Sequence, residues 1–472
     1  MAVKVGMVSL GCPKNLVDSE VMLGTLAREE YEITADAGQA EVLIVNTCGF
    51  IDKAKKESVD TILEMARHKE TGSCRRLIVT GCLVQGYVDQ LKAELPEVDA
   101  FLGSADYPRI AEVIRGLSGS KKLKAPLVEV HSPVYLYDEN SPRLLATPSY
   151  SAYLKMAEGC DHACGFCAIP QLRGALRSRS IESCVAEARN LAAAGVKELN
   201  LISQDSSEYG RDLYGEPRLD ELLQALDKVE GLRWIRVHYL YPAFLTDGLM
   251  KTFADSKRLV KYIDLPLQHG DTAMLKAMRR PGSYEGNLAL LARFRAAVPD
   301  VAIRSSFIVG YPGETDAQFA RLLQFLREAD LDRAGFFTYS FEEKTWSGSL
   351  EGQVSDKVKR ERQRQASELA AELSAKRLAE KRGRELEVLV ERRADQEGTA
   401  LSLEGGLEPR VSAKAARSKH SFIGRTQWDA PDIDGRVHLR VDAGSPAPKP
   451  GDFVRVKVED SDAHDLFGSL VP

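Results

Sequence analysis

Three cysteines, Cys160, Cys164 and Cys167, lie within a single short stretch of the chain. Their spacing is C-x3-C-x2-C, and no fourth cysteine lies nearby. A 4Fe–4S cluster takes four thiolate ligands, so three cysteines would leave one iron open. An open coordination position is typical of catalytic metal sites, because a substrate or cofactor can bind there. The triplet therefore indicates an iron–sulfur cluster with a catalytic role.

Zinc and disulfides are the alternative interpretations of this triplet. A zinc ion would need a fourth ligand, and His162 lies too close in sequence to complete a tetrahedron comfortably. Disulfides are uncommon without a secretory signal, and the first residues, MAVKVGMVSLGC, do not resemble one. The triplet instead resembles the signature of the radical S-adenosylmethionine (SAM) enzymes. In those enzymes SAM chelates the open iron, and an electron from the cluster splits SAM to a 5′-deoxyadenosyl radical.

A second set of three cysteines is spread over the N-terminal region. Cys12, Cys48 and Cys82 each follow a β-rich run, and helix-like stretches alternate with these runs. The alternation predicts βαβ units and a parallel sheet. The predicted strands are Val3–Leu10, Glu41–Thr47 and Arg76–Thr80, and the predicted helices are Leu16–Glu29, Asp52–His68 and Gln85–Glu94.

The positions of these three cysteines predict that they meet in space. The carboxyl ends of parallel strands share one edge of a sheet, where doubly wound folds place their sites. We therefore expect Cys12, Cys48 and Cys82 to hold a second cluster with an open iron. The alternative is three buried thiols, since free cysteine is among the most buried residue types. Cys74 and Cys184 do not share the pattern and are interpreted as packing residues.

The central region, from about residue 146 to residue 373, continues the alternation of strands and helices. It predicts a partial (β/α)6 barrel, which the radical-SAM resemblance also implies, with the active site at the carboxyl ends of the strands. The predicted strands are Tyr150–Glu158, Glu198–Ile202, Trp234–Tyr239, Tyr262–Pro266, Ala302–Val309 and Gly335–Tyr339. The predicted helices include Ile181–Ala194 and Ala317–Ala329.

Several polar residues and glycines follow these strands. The resemblance implies that five residues contact SAM, and these are Phe166, Gln204, Asp205, Ser306 and Gly310. The segment GYPGET, which begins at Gly310, could alternatively be only a turn that caps the next helix. His269 is interpreted as a hydrogen-bonded histidine at a strand end. Three arginines could hold the SAM carboxylate or the product, or could lie on the solvated surface, and they are Arg173, Arg177 and Arg179.

The C-terminal region changes in composition. Asp356–Arg384 predicts a long charged helix, and the short β-rich runs after it predict a small β-barrel of the oligonucleotide-binding kind. These runs are Leu386–Glu391, Thr399–Leu403, Gly435–Val441 and Phe453–Val458. Basic residues and an aromatic residue alternate in Lys414–Arg425, which indicates nucleic-acid binding, with surface charge as the alternative. The barrel resembles the TRAM domain, a module that grips RNA or, in one branch, a ribosomal protein.

The length and composition are those of an ordinary multidomain protein. The chain has 472 residues, of which 44% are hydrophobic and 28% are charged. A net charge of −5 argues against wholesale wrapping of nucleic acid, although a local basic face remains compatible with it. No apolar run approaches the length of a membrane span, so we expect a cytoplasmic protein whose eight cysteines are reduced or bind metal.

The order of these regions resembles the methylthiotransferase family along essentially the whole chain. Three motifs resemble its ribosomal-protein branch: LGCPKNLVDSE from Leu10, NTCGFI from Asn46 and GRTQWDAPDIDG from Gly424. The tRNA-modifying branch usually carries GCQMN at the first cysteine. One departure is YSFEEK from Tyr339, which has Phe and Lys where Pro and Gly are expected. The implied α/β multidomain fold divides into an N-terminal domain (1–117), a linker (118–145), a radical SAM core (146–376) and a TRAM barrel (377–472).

The resemblance implies an enzyme that adds a methylthio group to the β-carbon of an aspartate in small-subunit ribosomal protein twelve. It implies SAM and two 4Fe–4S clusters as cofactors, with an auxiliary cluster on Cys12, Cys48 and Cys82 and the SAM cluster on Cys160, Cys164 and Cys167. One SAM would methylate a sulfur at the auxiliary cluster. A second SAM would yield the radical that removes the aspartate hydrogen.

The same resemblance implies partners. They are the ribosomal protein or the ribosomal particle, an electron donor such as flavodoxin, and RNA through the TRAM barrel. The nearest alternative function is methylthiolation of a tRNA adenosine by the same two clusters. More distant alternatives are another radical SAM methyltransferase or sulfur-inserting enzyme, and a non-catalytic iron–sulfur RNA-binding protein.

Overall fold

The computed structural model describes residues 2–117, 125–395, 422–442 and 444–471. Its N-terminal domain is a parallel sheet flanked by helices. The strands are β1 (Lys4–Ser9), β2 (Glu32–Ile33), β3 (Val42–Thr47), β4 (Arg76–Gly81), β5 (Ala100–Leu102) and β6 (Leu127–Glu129). The helices are α1 (Pro13–Arg28), α2 (Asp52–Thr71), α3 (Cys82–Glu94) and α4 (Ile110–Leu117). The strand order is β2-β1-β3-β4-β5-β6, with every neighbouring pair parallel.

The interior of this sheet follows from its sequence. Every residue of β3 is buried, as expected for a central parallel strand that is covered by helices on both faces. The predicted parallel α/β domain is confirmed.

The central domain is built on six parallel strands in two half-sheets. Its strands, together with a short hairpin, are β7 (Ser151–Lys155), β8 (Ala157–Glu158), β9 (Arg177–Ser178), β10 (Glu198–Ile202), β11 (Trp234–Val237), β12 (Tyr262–Asp264), β13 (Ala302–Val309) and β14 (Arg333–Thr338). The half-sheets have the orders β11-β10-β7 and β12-β13-β14. A bridge between Ile235 and Leu259 joins them. The predicted partial barrel is confirmed.

Helices cover the outside of the barrel and fix its hydrophobic core. Those that contribute to this core are α6 (Ile181–Ala193), α8 (Leu219–Leu226), α9 (Asp247–Asp255), α11 (Tyr284–Ala297) and α12 (Asp316–Ala329), whereas the shorter α5 (Ile169–Arg173), α7 (Arg211–Tyr214) and α10 (Thr272–Ala277) are not part of it. A long helix, α13 (Asp356–Ala379), follows. Leu154, Leu199 and Val237 are fully buried strand residues that pack against the inward faces of these helices.

The C-terminal domain is a closed five-stranded barrel. Its strands are β15 (Glu385–Arg393), β16 (Phe422–Thr426), β17 (Val437–Arg440), β18 (Phe453–Ser461) and β19 (Leu466–Leu470). The strands close in the order β15-β16-β17-β19-β18. The predicted small β-barrel is confirmed, although the predicted strand Thr399–Leu403 lies outside the described residues.

The two smaller domains contact opposite ends of the central barrel. The Lys14 amine at the start of α1 lies 3.5 Å from the ring centroid of Tyr239, which follows the carboxyl end of β11. At the other end, Arg425 of β16 pairs with Glu198, the first residue of β10. The N-terminal domain therefore covers the catalytic end that barrels of this kind share, and the C-terminal barrel closes the amino end.

Among the helices of the described residues, none combines the length and the apolar composition that a membrane span needs.

Candidate functional site

The loop from Cys160 to Cys167 is held at several points. The Cys160 amide donates to the Gly174 carbonyl at 3.0 Å, and the Gly165 amide donates to the Met278 carbonyl at 2.8 Å. Arg280 approaches from the barrel, with its Nη1 3.6 Å from the Cys164 sulfur. The loop thus presents three half-buried cysteines at the carboxyl end of the β7 region, as the barrel geometry predicts.

The N-terminal cysteines also converge. Cys12 precedes α1, Cys48 follows β3, and Cys82 begins α3 directly after β4. The backbone at Gly11 lies so close to Cys48 that a Cβ there would come within 3.2 Å of the Cys48 sulfur. Asn15 fastens this edge, because its Nδ2 donates to the Thr47 carbonyl at 2.8 Å. Cysteines from three distant parts of the sequence therefore share one edge of the sheet.

Both triplets are too widely spaced for a single ion. A tetrahedral zinc ion, with Zn–S bonds of about 2.3 Å, holds its sulfurs about 3.8 Å apart. Among the described residues, the set of three His, Cys, Asp or Glu ligand atoms within 4.8 Å of one another is His162, Asp205 and Glu208, which contains no cysteine. Neither triplet is that compact, so both fit a cluster of several irons better than one zinc ion.

The electrostatics of the thiols favour a bound cation. Burial, followed by the neighbouring thiols of Cys12 and Cys82, raises the pKa of Cys48 to about 12. Burial also raises the pKa of Cys160 and of Cys167 to about 12. Only the thiolate binds metal well, and positive iron offsets the cost of burying that negative charge. The donor set therefore suits iron–sulfur clusters.

The two triplets face each other across a short helix. Cys167 is followed by α5, and Ala168 and Leu172 pack directly against Cys82. At the end of α5, the Nε of Arg173 donates a hydrogen bond to the Cys82 sulfur at 3.1 Å. Arg173, which contacts Cys82 of one triplet, therefore lies only six residues after Cys167 of the other triplet.

Three of the residues predicted to contact SAM lie around the Cys160–Cys167 loop. Phe166 packs with Met274, Met278 and Tyr311 in a small apolar cluster. Gln204 donates from its Nε2 to Glu158, while its buried Oε1 has no hydrogen-bond partner. An unpartnered buried oxygen is costly, so Gln204 fits a position that a ligand donor completes.

Asp205 is already engaged within the protein. Its Oδ2 lies 2.6 Å from the His162 Nε2, and its Oδ1 accepts from the Ser207 amide at 2.8 Å. His162 stacks on Tyr241, with ring centroids 3.9 Å apart. His162 thus belongs with Asp205 and takes no part in a compact site with the cysteines.

Ser306 and Gly310 lie on and directly after β13. The Ser306 carbonyl accepts from the Gln268 amide at 2.9 Å, and its side chain is half-buried. The Gly310 amide donates to Glu314, which also accepts from Arg362. His269 is fully hydrogen-bonded, with its Nε2 3.1 Å from Glu314 and its Nδ1 accepting from the Asp271 amide. The interpretation of His269 as a hydrogen-bonded strand-end residue therefore agrees with its contacts.

Three family models match successive parts of the chain. Residues 4–103 match uncharacterized protein family UPF0004, residues 154–326 match the radical SAM superfamily, and residues 414–471 match the TRAM domain. A ribosomal protein uS12 methylthiotransferase RimO from Symbiobacterium thermophilum is 47% identical over 99% of this chain and 90% of its own length. Its counterpart in Geobacter sulfurreducens is 47% identical, over 99% and 98%.

The chain belongs to the RimO family of methylthiotransferases. As a member of the RimO family, it is a radical SAM methylthiotransferase that uses SAM and two 4Fe–4S clusters.

Solved structures of other radical SAM enzymes share the fold with this RimO family member. The methyltransferase TsrM from Kitasatospora setae gives a TM-score of 0.54 over 74% of this chain and 77% of TsrM, at 14% identity. The cobalamin-dependent enzyme OxsB gives 0.50 over 79% and 62%, at 13% identity. At such identities the likeness concerns the fold alone.

Two of the three arginines near the RimO family's cysteine loop, Arg173 and Arg179, are buried, which corrects for them the expectation of a solvated surface or a SAM carboxylate contact, whereas Arg177 is half-buried. Arg173 bonds Cys82, and Arg179 pairs with Glu187 inside the barrel. Arg177 donates to backbone carbonyls of its own loop. Arg173 and Arg179 are thus used by contacts within the protein, while the buried Nε of Arg177 has no hydrogen-bond partner there.

Part of the basic segment also differs from its predicted role. Arg425 is buried and pairs with Glu198 and Glu391, and Phe422 is buried in the C-terminal barrel. They therefore do not face nucleic acid. Residues Lys414–Ser421 lie outside the described residues.

The sequence patterns missed a contact that fixes the N-terminal domain on the barrel. Ser340 accepts a hydrogen bond from the Asp52 amide at 3.0 Å, and Glu342 pairs with Lys55 at 2.6 Å. Ser340 and Glu342 lie in the YSFEEK segment, where the chain departs from the family's usual Pro and Gly. Lys344, one of the two departing residues, also contacts the N-terminal domain, because its Nζ donates to the Gly86 carbonyl, and it is the signal that the sequence offered.

Proposed function

We propose that this chain transfers a methylthio group to the β-carbon of an aspartate in small-subunit ribosomal protein uS12. The observation that carries the proposal is the junction of the two triplets, where Cys82 packs against the residues that follow Cys167. The relatives named above, which match over nearly their whole length, are named for uS12. An aspartate β-carbon has no useful acidity, so proton transfer by a side chain cannot activate it, and bound cofactors must supply the chemistry.

We assign the six cysteines to two clusters. Cys160, Cys164 and Cys167 would hold the SAM cluster, and Cys12, Cys48 and Cys82 the auxiliary cluster. When bound, these groups and SAM supply the radical and the sulfur that is transferred. The chain's own side chains would hold the two sets of ligands close together, because Cys82 packs against the residues that follow Cys167. Gln204 offers a buried carbonyl oxygen and Phe166 an apolar wall, which suit the polar and ring portions of SAM.

The remaining expectations belong to the same proposal. Asp205, Ser306 and Gly310 are proposed as SAM contacts. We also propose the domain boundaries 1–117, 118–145, 146–376 and 377–472, with β6 of the second segment completing the N-terminal sheet. The C-terminal barrel would contact the ribosomal protein or ribosomal RNA. The protein would act in the cytoplasm, with an electron donor such as flavodoxin.

The test offers two substrates to the reconstituted enzyme under anaerobic conditions. One is uS12 and the other is bulk tRNA, each incubated with SAM and a strong reductant and then analysed by mass spectrometry. We expect a methylthio adduct on an aspartate of uS12 and unchanged tRNA. A Cys160→Ala enzyme is the control, and it should leave both substrates unchanged. An adduct on tRNA alone would contradict the assigned substrate while keeping the enzyme class.

A further inference from the structure

Arg173 makes an unusual contact with a proposed cluster ligand. Its Nε donates to the Cys82 sulfur at 3.1 Å, and only 2% of the residue is exposed. The other two guanidinium nitrogens are also engaged. Nη1 donates to Asp18 at 2.6 Å, and Nη2 donates to Asn15. Because all three nitrogens are fixed, the Nε–H is held on the sulfur.

The contact lies at the edge of a buried network of four charges. Arg173 and Lys155 are the cations, and Asp18 and Glu158 are the carboxylates. Each of these side chains is at most 4% exposed. Asp18 belongs to the N-terminal domain, whereas the other three belong to the barrel. Glu158 stands two residues before Cys160, so the network extends from one triplet to the other.

Stability alone is a poor explanation for this network. Removing four charges from water is expensive, and well-packed apolar side chains often stabilise a protein as well or better. Such networks are common where electrostatics serve a site. The charges therefore most plainly act on the Cys82 sulfur, which Arg173 contacts directly.

We infer that Arg173 positions the Cys82 thiolate and raises the reduction potential of the auxiliary cluster, an inference that rests on the cluster assignment above. A hydrogen bond to a ligand sulfur, and a nearby positive charge, both favour the reduced and more negative state of an iron–sulfur cluster. Asp18 acts in the opposite direction, because its negative charge partly offsets that of Arg173. Removing the charge of Arg173 and removing the charge of Asp18 should therefore shift the reduction potential in opposite directions.

The test isolates the auxiliary cluster. In full-length protein carrying Cys160→Ala, Cys164→Ala and Cys167→Ala, only the auxiliary cluster would contribute to the electron paramagnetic resonance signal. The midpoint potential of that signal is measured anaerobically against dithionite in this background and with one further change. We expect Arg173→Met to shift the midpoint to lower potential, Arg173→Lys to shift it less, and Asp18→Asn to shift it upward.

Arg179→Lys is the matched control. Arg179 is equally buried and lies in the same segment, but it pairs with Glu187. Its variant should keep the background potential. If the Arg173 variants melt at lower temperature and yet keep the potential and the line shape, Arg173 is only structural and the inference is overturned. If Arg173→Met does not fold, the midpoint potentials of Arg173→Lys and Asp18→Asn still test the inference, because they should shift in opposite directions. A background protein that binds no iron would refute the cluster assignment itself, which separates that failure from a failure of Arg173.

Discussion

Cys12, Cys48 and Cys82 each occupy the point where a strand ends and a helix begins. The strand brings the cysteine to the edge of the sheet, and the following helix turns the backbone away from it. Cys12 and Cys48 are half-buried in these positions, and Cys82 is buried against Ala168 and Leu172. Cys184, in the middle of α6, is completely buried among apolar residues instead.

Replacing Cys12 should remove the auxiliary cluster alone. We expect Cys12→Ala to lower the iron content of the reconstituted protein from about eight atoms to about four, since each 4Fe–4S cluster holds four. The enzyme should still cleave SAM but should transfer no methylthio group. Iron analysis and product analysis check this, with Cys184→Ala as the control that keeps full iron. Methylthio transfer by Cys12→Ala would show that the auxiliary cluster has another role.

The residues of the site differ in how far sequence could predict them. The six cysteines are predictable because local strand and loop patterns place each one. The contact of Arg173 with Cys82 is not, because it joins residues 91 positions apart and depends on how two domains dock. The prediction that Arg425 contacts nucleic acid was wrong for the same reason, because the sequence does not show whether a basic residue contacts RNA or a buried glutamate.

The strands also differ in how well local sequence predicts them. Strands β10 and β13 have the bounds that their apolar runs predict. Strands β5 and β6 have only three residues each, too few to show a period. Strands β16 and β19 each contain a glycine, which weakens the strand pattern. The pairing of neighbouring strands requires those glycines, because a Cβ at Gly424 would lie 2.4 Å from the Leu389 carbonyl oxygen.

The turn between β13 and α12 should tolerate side chains unequally. Gly310 and Gly313 both have left-handed backbone, with φ of 75° and 80°. A Cβ at Gly310 would lie 2.3 Å from the Lys359 Cγ, whereas one at Gly313 meets no atom within 4 Å. We expect Gly313→Ala to cost about 1 kcal/mol of unfolding free energy through backbone strain. Gly310→Ala should cost about 2–4 kcal/mol, because a steric clash adds to that strain.

Urea unfolding of the two alanine variants checks this order. Equal losses would mean that α13, which carries Lys359, moves aside at little cost. A loss confined to Gly313→Ala would contradict the packing described for this turn.

At the scale of the whole molecule, the C-terminal barrel is fastened to the amino end of the central barrel by buried charges. Arg425 pairs with Glu198, and Arg304 lies 3.5 Å from Asp434. Trp428 donates from its indole nitrogen to the Asp300 carbonyl at 2.8 Å. These contacts come from the GRTQWDAPDIDG motif. The motif therefore serves to join domains, whatever its relation to the substrate.

Arg425→Met should weaken this interface strongly. It leaves the buried Glu198 carboxylate with Arg236 as its remaining ion-pair partner, and breaking a buried pair costs about 3–5 kcal/mol. Thermal unfolding should show a clear loss of stability. Arg364→Ala, which removes two exposed ion pairs on α13, should leave the melting temperature almost unchanged. Similar melting temperatures for both variants would show that the buried pair contributes little.

The Glu198 pairs should also give a defined dependence on pH. Arg425, and then Arg236, outweigh burial and lower the pKa of Glu198 to about 2 from an ordinary 4.5. A carboxyl whose folded pKa is lowered stabilises fully above its unfolded pKa and loses that contribution as the pH falls through the folded one. The difference in unfolding free energy between wild type and Glu198→Gln should therefore be constant above about pH 5 and shrink between about pH 4.5 and 2.

Urea unfolding of the cluster-free proteins at several pH values, followed by tryptophan fluorescence, measures that difference. A difference that stays constant down to pH 2 would mean that the carboxyl keeps its ordinary pKa, and one that grows as the pH falls from 7 to 5 would mean that its folded pKa is raised.

The fastening of the C-terminal barrel also limits how domains can be recombined. A barrel grafted from another protein would bring its own side chains to Glu198 and Arg304, which pair in this chain with Arg425 and Asp434. Such a chimera would leave charges stranded at the seam unless both halves of each pair travel together. A functional exchange would therefore have to move the C-terminal barrel together with the amino ends of the central strands that it contacts.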